Sequence, residues 1–264
     1  MPPAKRKSRV YNPDKTRTAV LVQFGNVAKA VGTLTPEQLA GPTRLGEWTV
    51  RELAAHITMA TSAVARGLAA AGPGTAQLAP QDWPMTSAPY ARDIATYVTG
   101  LAADNDLATL YAEAGQSLER ALADHPADAL VANRTGNMTL ADYLPTRTVE
   151  LIVHTDDLND AVPGLDIPYD RQALAACTRI LADALATKAP GASTEVRIPP
   201  FAVVQCVEGP RHTRGTPPNV VETDPLTWIR LATGRTTWSA AVEDALVSAS
   251  GERADLAGLL PIMA

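Results

Sequence analysis

The sequence is poor in aromatic residues, in cysteine and in long apolar runs. Aromatic residues make up only 5% of the 264-residue chain, although 46% of its residues are hydrophobic, so much of the apolar content is Ala, Val and Leu. Small apolar side chains at this density favour helices that pack closely together. No uninterrupted run approaches the roughly 20 apolar residues that a membrane-spanning helix needs, so we expect no membrane span.

The excess of one sign of charge over the other is also small. The formal net charge of −5 gives no reason to expect a nucleic-acid partner. Several basic residues lie between residues 5 and 9, but no apolar stretch follows them, so they do not form a secretory signal. We interpret residues 1–15 as a disordered basic tail and expect a cytoplasmic protein.

Cysteine provides no motif. Cys177 and Cys206 are far apart in the sequence and do not form a Cys-x-x-Cys pair. Cys177 falls on the apolar face of a predicted helix, and Cys206 lies in an apolar run that is typical of a strand. We expect both thiols to be buried and unreactive.

The sequence does contain a series of apolar stripes with helical spacing, which run through residues 20–31, 53–68, 107–122 and 139–159. The second stripe has the clearest start, because Thr49 and Glu52 fit a capping box. Residues 71–92 form a long Pro/Gly-rich connection, and Pro145 should kink or interrupt the fourth helix. Amphipathic helices of this length predict an up-and-down four-helix bundle over residues 16–163.

The pattern changes after residue 163. A further helix is followed by a strand-like run over residues 196–207 that a Pro-Pro pair interrupts. Asp224 followed by Pro225 predicts the cap of a short helix. A strand near residues 247–249 and a last helix near residues 256–260 complete a small α+β domain, which we assign to residues 164–264. The fold class that we expect for the whole chain is therefore α+β.

Ionisable residues of the fourth helix lie on or beside its apolar stripe. Arg147, Glu150 and His154 occupy this face, where a charged group must be paired, desolvated or bound to something. Glu150 and His154 are four positions apart, so they lie one helical turn apart and can hold one metal ion. Arg147 precedes Glu150 by one turn and can orient that carboxylate or bind an anion beside it.

His56 occupies a similar inward position on the second helix. Facing helices in a bundle lie roughly 8 to 10 Å apart, which leaves room for one ion between His56 and the Glu150–His154 pair. Two imidazoles and a carboxylate leave a tetrahedral Zn²⁺ with a vacant fourth position, as in catalytic sites. Fe²⁺ and Ni²⁺ also accept these ligand types. The spacing alone leaves a simpler interpretation open, because Glu-x3-His pairs arise by chance and inward histidines are usually hydrogen-bonded core residues.

Two other polar groups carry weaker signals. Arg211, His212 and Arg214 form a basic cluster in a Gly/Pro-rich loop. Such a cluster suits an anionic group of a thiol cofactor, but also a solvated loop or an interdomain salt bridge. Asp156 and Asp157 can hydrogen-bond a metal-bound histidine or be surface charges near a helix end.

Two signatures resemble a known family. Residues 48–56, Trp-Thr-Val-Arg-Glu-Leu-Ala-Ala-His, are similar to the second-helix signature of the mycothiol-dependent maleylpyruvate isomerase N-terminal domain, a DinB-like bundle. The series Arg147-x2-Glu150-x3-His154-x2-Asp157-Leu158 resembles its fourth-helix signature. The resemblance covers about residues 16–163. It implies that the family's divalent metal, usually taken as zinc, is bound here by His56, Glu150 and His154.

The same resemblance implies mycothiol as the thiol cofactor. The candidates for binding it are Arg147, Arg211 and Arg214. The rest of the chain resembles a bacterial sterol-carrier-protein-like domain, through residues 199–206, 208–215 and 224–234. That second resemblance allows a hydrophobic ligand in the C-terminal domain.

We consider three hypotheses for the function. The leading one is a metal-dependent enzyme of the maleylpyruvate isomerase family, in which the metal holds the mycothiol sulfur as a thiolate. The thiolate adds to an activated double bond of a small substrate, the bond rotates and the thiolate leaves, or the thiol is transferred to an electrophile. The others are a non-enzymatic carrier of a lipid or hydrophobic ligand and a metal-stabilised interaction module. The sequence identifies no general acid or base outside the metal cluster, so catalytic residues stay unassigned.

Overall fold

The computed structural model describes residues 9–86, 88–209 and 218–263. The chain forms two compact units. The first unit comprises Tyr11–Leu78 and Pro89–Leu174, and the second comprises Met1–Val10, Ala79–Ala88 and Ala175–Ala264. We keep the predicted domain boundary at residue 163 as a proposal. Among the described residues, no helix has both the length and the apolar character needed to cross a membrane.

The first unit is helical. Its elements, in chain order, are α1 (Pro13–Val31), α2 (Pro36–Leu39), α3 (Val50–Ala70), α4 (Ala91–Asp104), α5 (Leu107–Asp124), β1 (Leu130–Val131), β2 (Met138–Thr139) and α6 (Leu140–Ala161). Helix α3 packs against α4, α5 and α6, and α1 packs against α5 and α6. Helices α1, α6, α3 and α5 therefore close a ring around a common core. The short strands β1 and β2 pair antiparallel beside it.

Side chains close the ends of these helices. The Thr49 hydroxyl accepts from the backbone N–H of Glu52 and the Glu52 carboxylate accepts from that of Thr49, which is the expected capping box at the start of α3. Two arginines cover free carbonyls at helix ends. Arg17 donates to the carbonyls of Leu122 and His125 at the end of α5. Arg51 donates to carbonyls at the end of α4 in the same way.

Three details of the first unit differ from the sequence-based expectation. Helix α4 follows the predicted connection but was not predicted, although Ile94, Val98 and Leu101 have the spacing of one helical stripe. Helix α1 begins at Pro13, inside the segment interpreted as a tail, because the Asn12 side chain caps it. Helix α6 runs through Pro145 without interruption.

The second unit is built on a four-stranded sheet. Helix α7 (Arg171–Lys188) begins in the first unit and continues into the second. It is followed by β3 (Thr194–Ile198), β4 (Ala202–Cys206), β5 (Val220–Thr223), α8 (Pro225–Ala232), α9 (Trp238–Glu243) and β6 (Val247–Ser250). The strand order is β4-β3-β5-β6, with β3 and β5 parallel and the other pairs antiparallel. The mixed α+β class is confirmed.

The strands of this sheet bury one face. In β3, β4 and β5 alternate side chains are buried, as period-2 patterning requires, among them Val196, Ile198, Val204, Cys206 and Val221. Strand β5 was not predicted, because it is short and directly follows a turn-rich stretch. The helix predicted near residues 256–260 is a single 3₁₀ turn, Ala257–Leu259.

We predict that Gly67→Ala destabilises the protein. A Cβ at this position of α3 would lie 2.5 Å from Val131 Cγ1 and 2.8 Å from the Ala132 carbonyl oxygen. Overpacking of this kind typically costs about 1–3 kcal/mol of unfolding free energy, which exceeds the gain in helix propensity. Gly100→Ala is the matched control, because a Cβ there meets nothing within 4 Å. Thermal unfolding should show a lower Tm for Gly67→Ala and an equal or higher Tm for Gly100→Ala. Equal Tm values for Gly67→Ala and wild type would contradict the prediction.

We also predict that the cysteines are unreactive in the folded protein. Both thiols are fully buried, and burial raises the pKa of the Cys177 thiol, so the reactive thiolate is suppressed. Iodoacetamide should therefore modify Cys177 only after unfolding in guanidinium, as detected by peptide mass spectrometry. Rapid modification of the native protein would show that this part of the core opens readily.

Candidate metal centre

The three predicted metal ligands lie together between α3 and α6. His56 is in the second turn of α3, so the capping box at Thr49 fixes the helix that carries it. Glu150 and His154 lie one turn apart on the facing side of α6. His56 is 6% exposed and His154 is 9% exposed, and the Glu150 side chain is 13% exposed. A nitrogen or oxygen of each residue lies within 4.8 Å of the other two.

One carboxylate oxygen is shared by the two imidazoles. Glu150 Oε2 lies 3.3 Å from His56 Nε2 and 3.4 Å from His154 Nε2. Charge-assisted hydrogen bonds are shorter, typically about 2.7–2.9 Å. Zn²⁺ binds nitrogen and oxygen at about 2.0–2.1 Å, and the ligands of a tetrahedron with such bonds are about 3.3–3.4 Å apart. These two distances match the edges of such a tetrahedron more closely than they match charge-assisted hydrogen bonds.

Burial and contacts set the protonation states of the cluster. Burial alone raises the pKa of Glu150, but contacts with His154, His56 and Arg147 outweigh it and hold that pKa well below its usual range. Burial lowers the pKa of His56, and the contact with Glu150 opposes this only in part. At neutral pH, Glu150 is thus an anion and His56 is neutral, which are the forms that bind metals. Burial also lowers the pKa of His154, yet Asp157 and Glu150 together raise it.

His154 is anchored on the side away from Glu150. Its Nδ1 lies 2.8 Å from Asp157 Oδ2, and the Asp157 side chain is fully buried. The other Asp157 oxygen accepts from Arg44 Nε at 2.7 Å. Asp156 accepts from the same guanidinium and from the hydroxyl of Tyr169. Of the two carboxylates for which the sequence left two interpretations open, Asp157 is the one that contacts the histidine.

His56 is held by rings rather than by a second hydrogen bond. The Trp48 ring lies 5.1 Å from the His56 ring, centroid to centroid, at an angle of 47°. The His154 ring meets it edge-on at 4.7 Å. Among the described residues, the buried His56 Nδ1 has no hydrogen-bond partner. Its orientation therefore depends on packing and on whatever its Nε2 binds.

Arg147 lies beside the cluster. Its Nη2 is 3.9 Å from Glu150 Oε1, and its guanidinium lies 4.6 Å from the centre of the Tyr143 ring. The guanidinium also donates to the Ala60 carbonyl and to the Thr146 hydroxyl. These contacts suit the first of the two predicted roles, which is to orient Glu150.

The remaining candidate residues belong to the predicted basic loop. Arg211, His212 and Arg214, and with them the predicted basic loop, lie outside the described residues.

Arg44 was missed by sequence reasoning, because its partners on α6 are more than a hundred positions away. The three aspartates in the last turns of α6 were an available signal. Carboxylates are unfavourable near a helix C-terminus, so they indicate a cation nearby.

The sequence matches two families. The family described as the mycothiol maleylpyruvate isomerase N-terminal domain matches residues 22–159, and the family described as the bacterial SCP ortholog matches residues 170–262. A comparison with curated proteins found no match.

Two solved structures are similar in fold. The mycothiol-dependent maleylpyruvate isomerase is 16% identical with a TM-score of 0.60, and the alignment covers 93% of this chain and 95% of that one. A histidine-to-alanine mutant of a mycothiol-dependent maleylpyruvate isomerase is 15% identical with a TM-score of 0.59, with the same coverage.

The family match covers more than half of the chain, and the match to the second family confirms the predicted sterol-carrier-like domain. The expectation of an enzyme is confirmed as well, since the first family is named for an isomerase. The chain therefore belongs to the family of the mycothiol maleylpyruvate isomerase N-terminal domain.

Proposed function

We propose that this protein is a metal-dependent enzyme that uses mycothiol to isomerise a small electrophilic substrate or to transfer the thiol to it. His56, Glu150 and His154 are the proposed metal ligands. The observation that carries the proposal is the shared Glu150 oxygen, with two imidazole nitrogens at 3.3 and 3.4 Å in a buried setting. Family membership supports the thiol and the class of reaction.

The ligand set defines what the bound metal contributes. A Zn²⁺ ion held by two neutral imidazoles and one carboxylate would keep a net positive charge, so it would lower the pKa of a bound thiol and favour the thiolate. The residues of the chain fix this charge balance. Glu150 supplies a single negative charge, and His56 and His154 turn Nε2 toward its oxygen.

Arg147 has two proposed roles. Its contact with Glu150 Oε1 limits rotation of the carboxylate, which keeps Oε2 between the histidines. Its positive charge also suits an anionic group of mycothiol or of the substrate. Binding of the cofactor by Arg147, Arg211 and Arg214 remains part of the proposal.

We predict that the purified protein binds about one Zn²⁺ per chain and that His56→Ala loses most of it. Removing one of three protein ligands leaves too few donors for tight binding. His125→Ala is the matched control, because His125 lies at the end of α5 with Nδ1 3.0 Å from the Ala121 carbonyl oxygen. Metal content measured by plasma mass spectrometry, after zinc has been offered back, should fall for His56→Ala and not for His125→Ala. The result that contradicts this prediction is wild-type protein that takes up no metal and has the same stability with and without added zinc. The cluster would then be an ordinary set of polar core residues.

We also predict turnover that requires both metal and mycothiol. Zinc-loaded protein with mycothiol should isomerise maleylpyruvate or conjugate a member of a panel of small electrophiles, followed by absorbance and mass spectrometry. Glu150→Gln should lose this activity, because the amide neutralises the ligand while it preserves its size. Reactions that proceed equally well without mycothiol, or no reaction with any substrate, would count against the proposed chemistry.

The carrier hypothesis concerns the second unit. An open depression of about 400 Å³ lies beside β5 and β6, and its lining includes Glu222, Asp224 and Ser248. The lining also includes the apolar residues Val220, Ala245 and Leu246, but the depression is open to solvent and is not the enclosed apolar cavity that a lipid chain needs. Lipid that co-purifies with the protein in native mass spectrometry would favour the carrier hypothesis. Unfolding on metal removal, with no thiol binding, would favour the interaction module.

A further inference from the structure

The loop between α2 and α3, residues 40–49, has a fixed shape. Thr43 and Trp48 are joined across it, since the Thr43 N–H and hydroxyl both donate to the Trp48 carbonyl, at 3.0 and 2.8 Å. At its base the Val50 N–H donates to the Gly41 carbonyl at 2.9 Å. Gly46, with a φ of 64°, allows the tight turn at the tip. The loop is thus a small hairpin that ends where α3 begins.

Arg44 extends from this hairpin to the end of α6. Its Nε donates to Asp157 and its Nη2 to Asp156, whose side chains are 0% and 3% exposed. A third carboxylate, Asp160, lies 3.6 Å from Nη1. Adjacent buried carboxylates repel one another, and the negative end of the helix dipole adds to the cost. The planar guanidinium offsets both effects and holds Asp157 in one orientation.

Asp157 passes this constraint on to His154. An ionised carboxylate only accepts hydrogen bonds, so the 2.8 Å contact between Asp157 Oδ2 and His154 Nδ1 requires the proton to be on Nδ1. When the ring is neutral, this contact selects the tautomer whose lone pair is on Nε2, the nitrogen that lies 3.4 Å from Glu150 Oε2. Hydrogen bonds thus run from the hairpin through Arg44 and Asp157 to the imidazole that we assign to the metal.

The same hairpin contacts the other histidine. Trp48 lies against the His56 ring, and the described residues offer no hydrogen-bond partner to His56 Nδ1. The two histidines come from different helices, yet each is steadied from residues 40–49. His154 is held through the hydrogen bonds of Arg44 and Asp157, and His56 is held through the packing of the Trp48 ring.

From these contacts we propose that Arg44 is a positioning residue of the metal centre, which acts through Asp157 to fix the tautomer and the ring orientation of His154. The proposal rests on the proposed function, because the ring that Arg44 positions is a ligand only if the cluster binds metal. A purely structural arginine would make the same ion pairs. The difference is that a positioning residue changes metal binding beyond its effect on stability.

The test compares Arg44→Gln with Arg44→Lys and with Arg17→Gln as the matched control. Arg17 is also a half-buried arginine of the first unit, but it covers carbonyls at the end of α5. Three quantities are measured for each variant: the zinc Kd by competition with a chromophoric chelator, the visible absorption of the Co²⁺-loaded protein, and the Tm without metal.

We expect Arg44→Gln to weaken zinc binding by about 10–100-fold, the usual effect of losing a residue that orients a metal ligand. Its Co²⁺ spectrum should change, because the His154 ring is no longer fixed. Arg44→Lys keeps the charge without the planar fork and should recover part of the affinity. Arg17→Gln should lower the Tm while the Kd and the spectrum stay those of wild type.

Wild-type zinc affinity and an unchanged Co²⁺ spectrum in Arg44→Gln would overturn the proposal and leave Arg44 a stabilising ion pair. If Arg44→Gln fails to fold, Asp157→Asn provides the same test, because the amide keeps the shape of the side chain but loses the charge that fixes the tautomer. Wild-type affinity in that variant also overturns the proposal. Failure of the wild-type protein to bind zinc at all is a separate result, which defeats the proposed function first.

Discussion

The site depends on one carboxylate oxygen, Glu150 Oε2, which two imidazole nitrogens approach from different helices. A carboxylate between packed helices loses its hydration, and this loss is tolerated only where positive or hydrogen-bonding groups replace the water. His56, His154 and Arg147 supply those groups. The contact between α3 and α6 is therefore more than apolar packing. Its register has to place both histidines at the same oxygen, and the surrounding bundle maintains that register.

The polar residues around this atom form a series in which each one contacts the next. The histidines contact Glu150 directly, Asp157 contacts His154, and Arg44 contacts Asp157. Each carboxylate in this series lies between cationic or hydrogen-bonding partners, so no buried charge is left uncompensated along it. Buried networks of this kind specify one arrangement, because any member that moves leaves its neighbour with an unpaired charge.

Local patterns explain how much of this could be predicted from the sequence. Glu150 and His154 are neighbours through helical periodicity alone, and His56 follows a recognisable helix start, so spacing and motif suggested that they belong together. Arg44 could not be found in that way. Its partners are distant in the sequence, and its loop has no periodicity that would fix where the side chain points. Helix α4, by contrast, could have been predicted, since Ile94, Val98 and Leu101 form an apolar stripe with helical spacing.

A second Glu-x3-His pair occurs in the chain, Glu52 and His56 on α3, with the same spacing as Glu150 and His154. The structure treats the two pairs differently. Glu52 is bonded to the backbone and hydroxyl of Thr49 and to the Thr99 hydroxyl, so its carboxylate belongs to the helix start and to α4. The cap thereby withholds a second carboxylate from the cluster. With both glutamates, the protein would enclose a cation completely, as in an inert structural site. By engaging Glu52 elsewhere, the first turn of α3 would leave the proposed cation able to exchange a ligand with its surroundings.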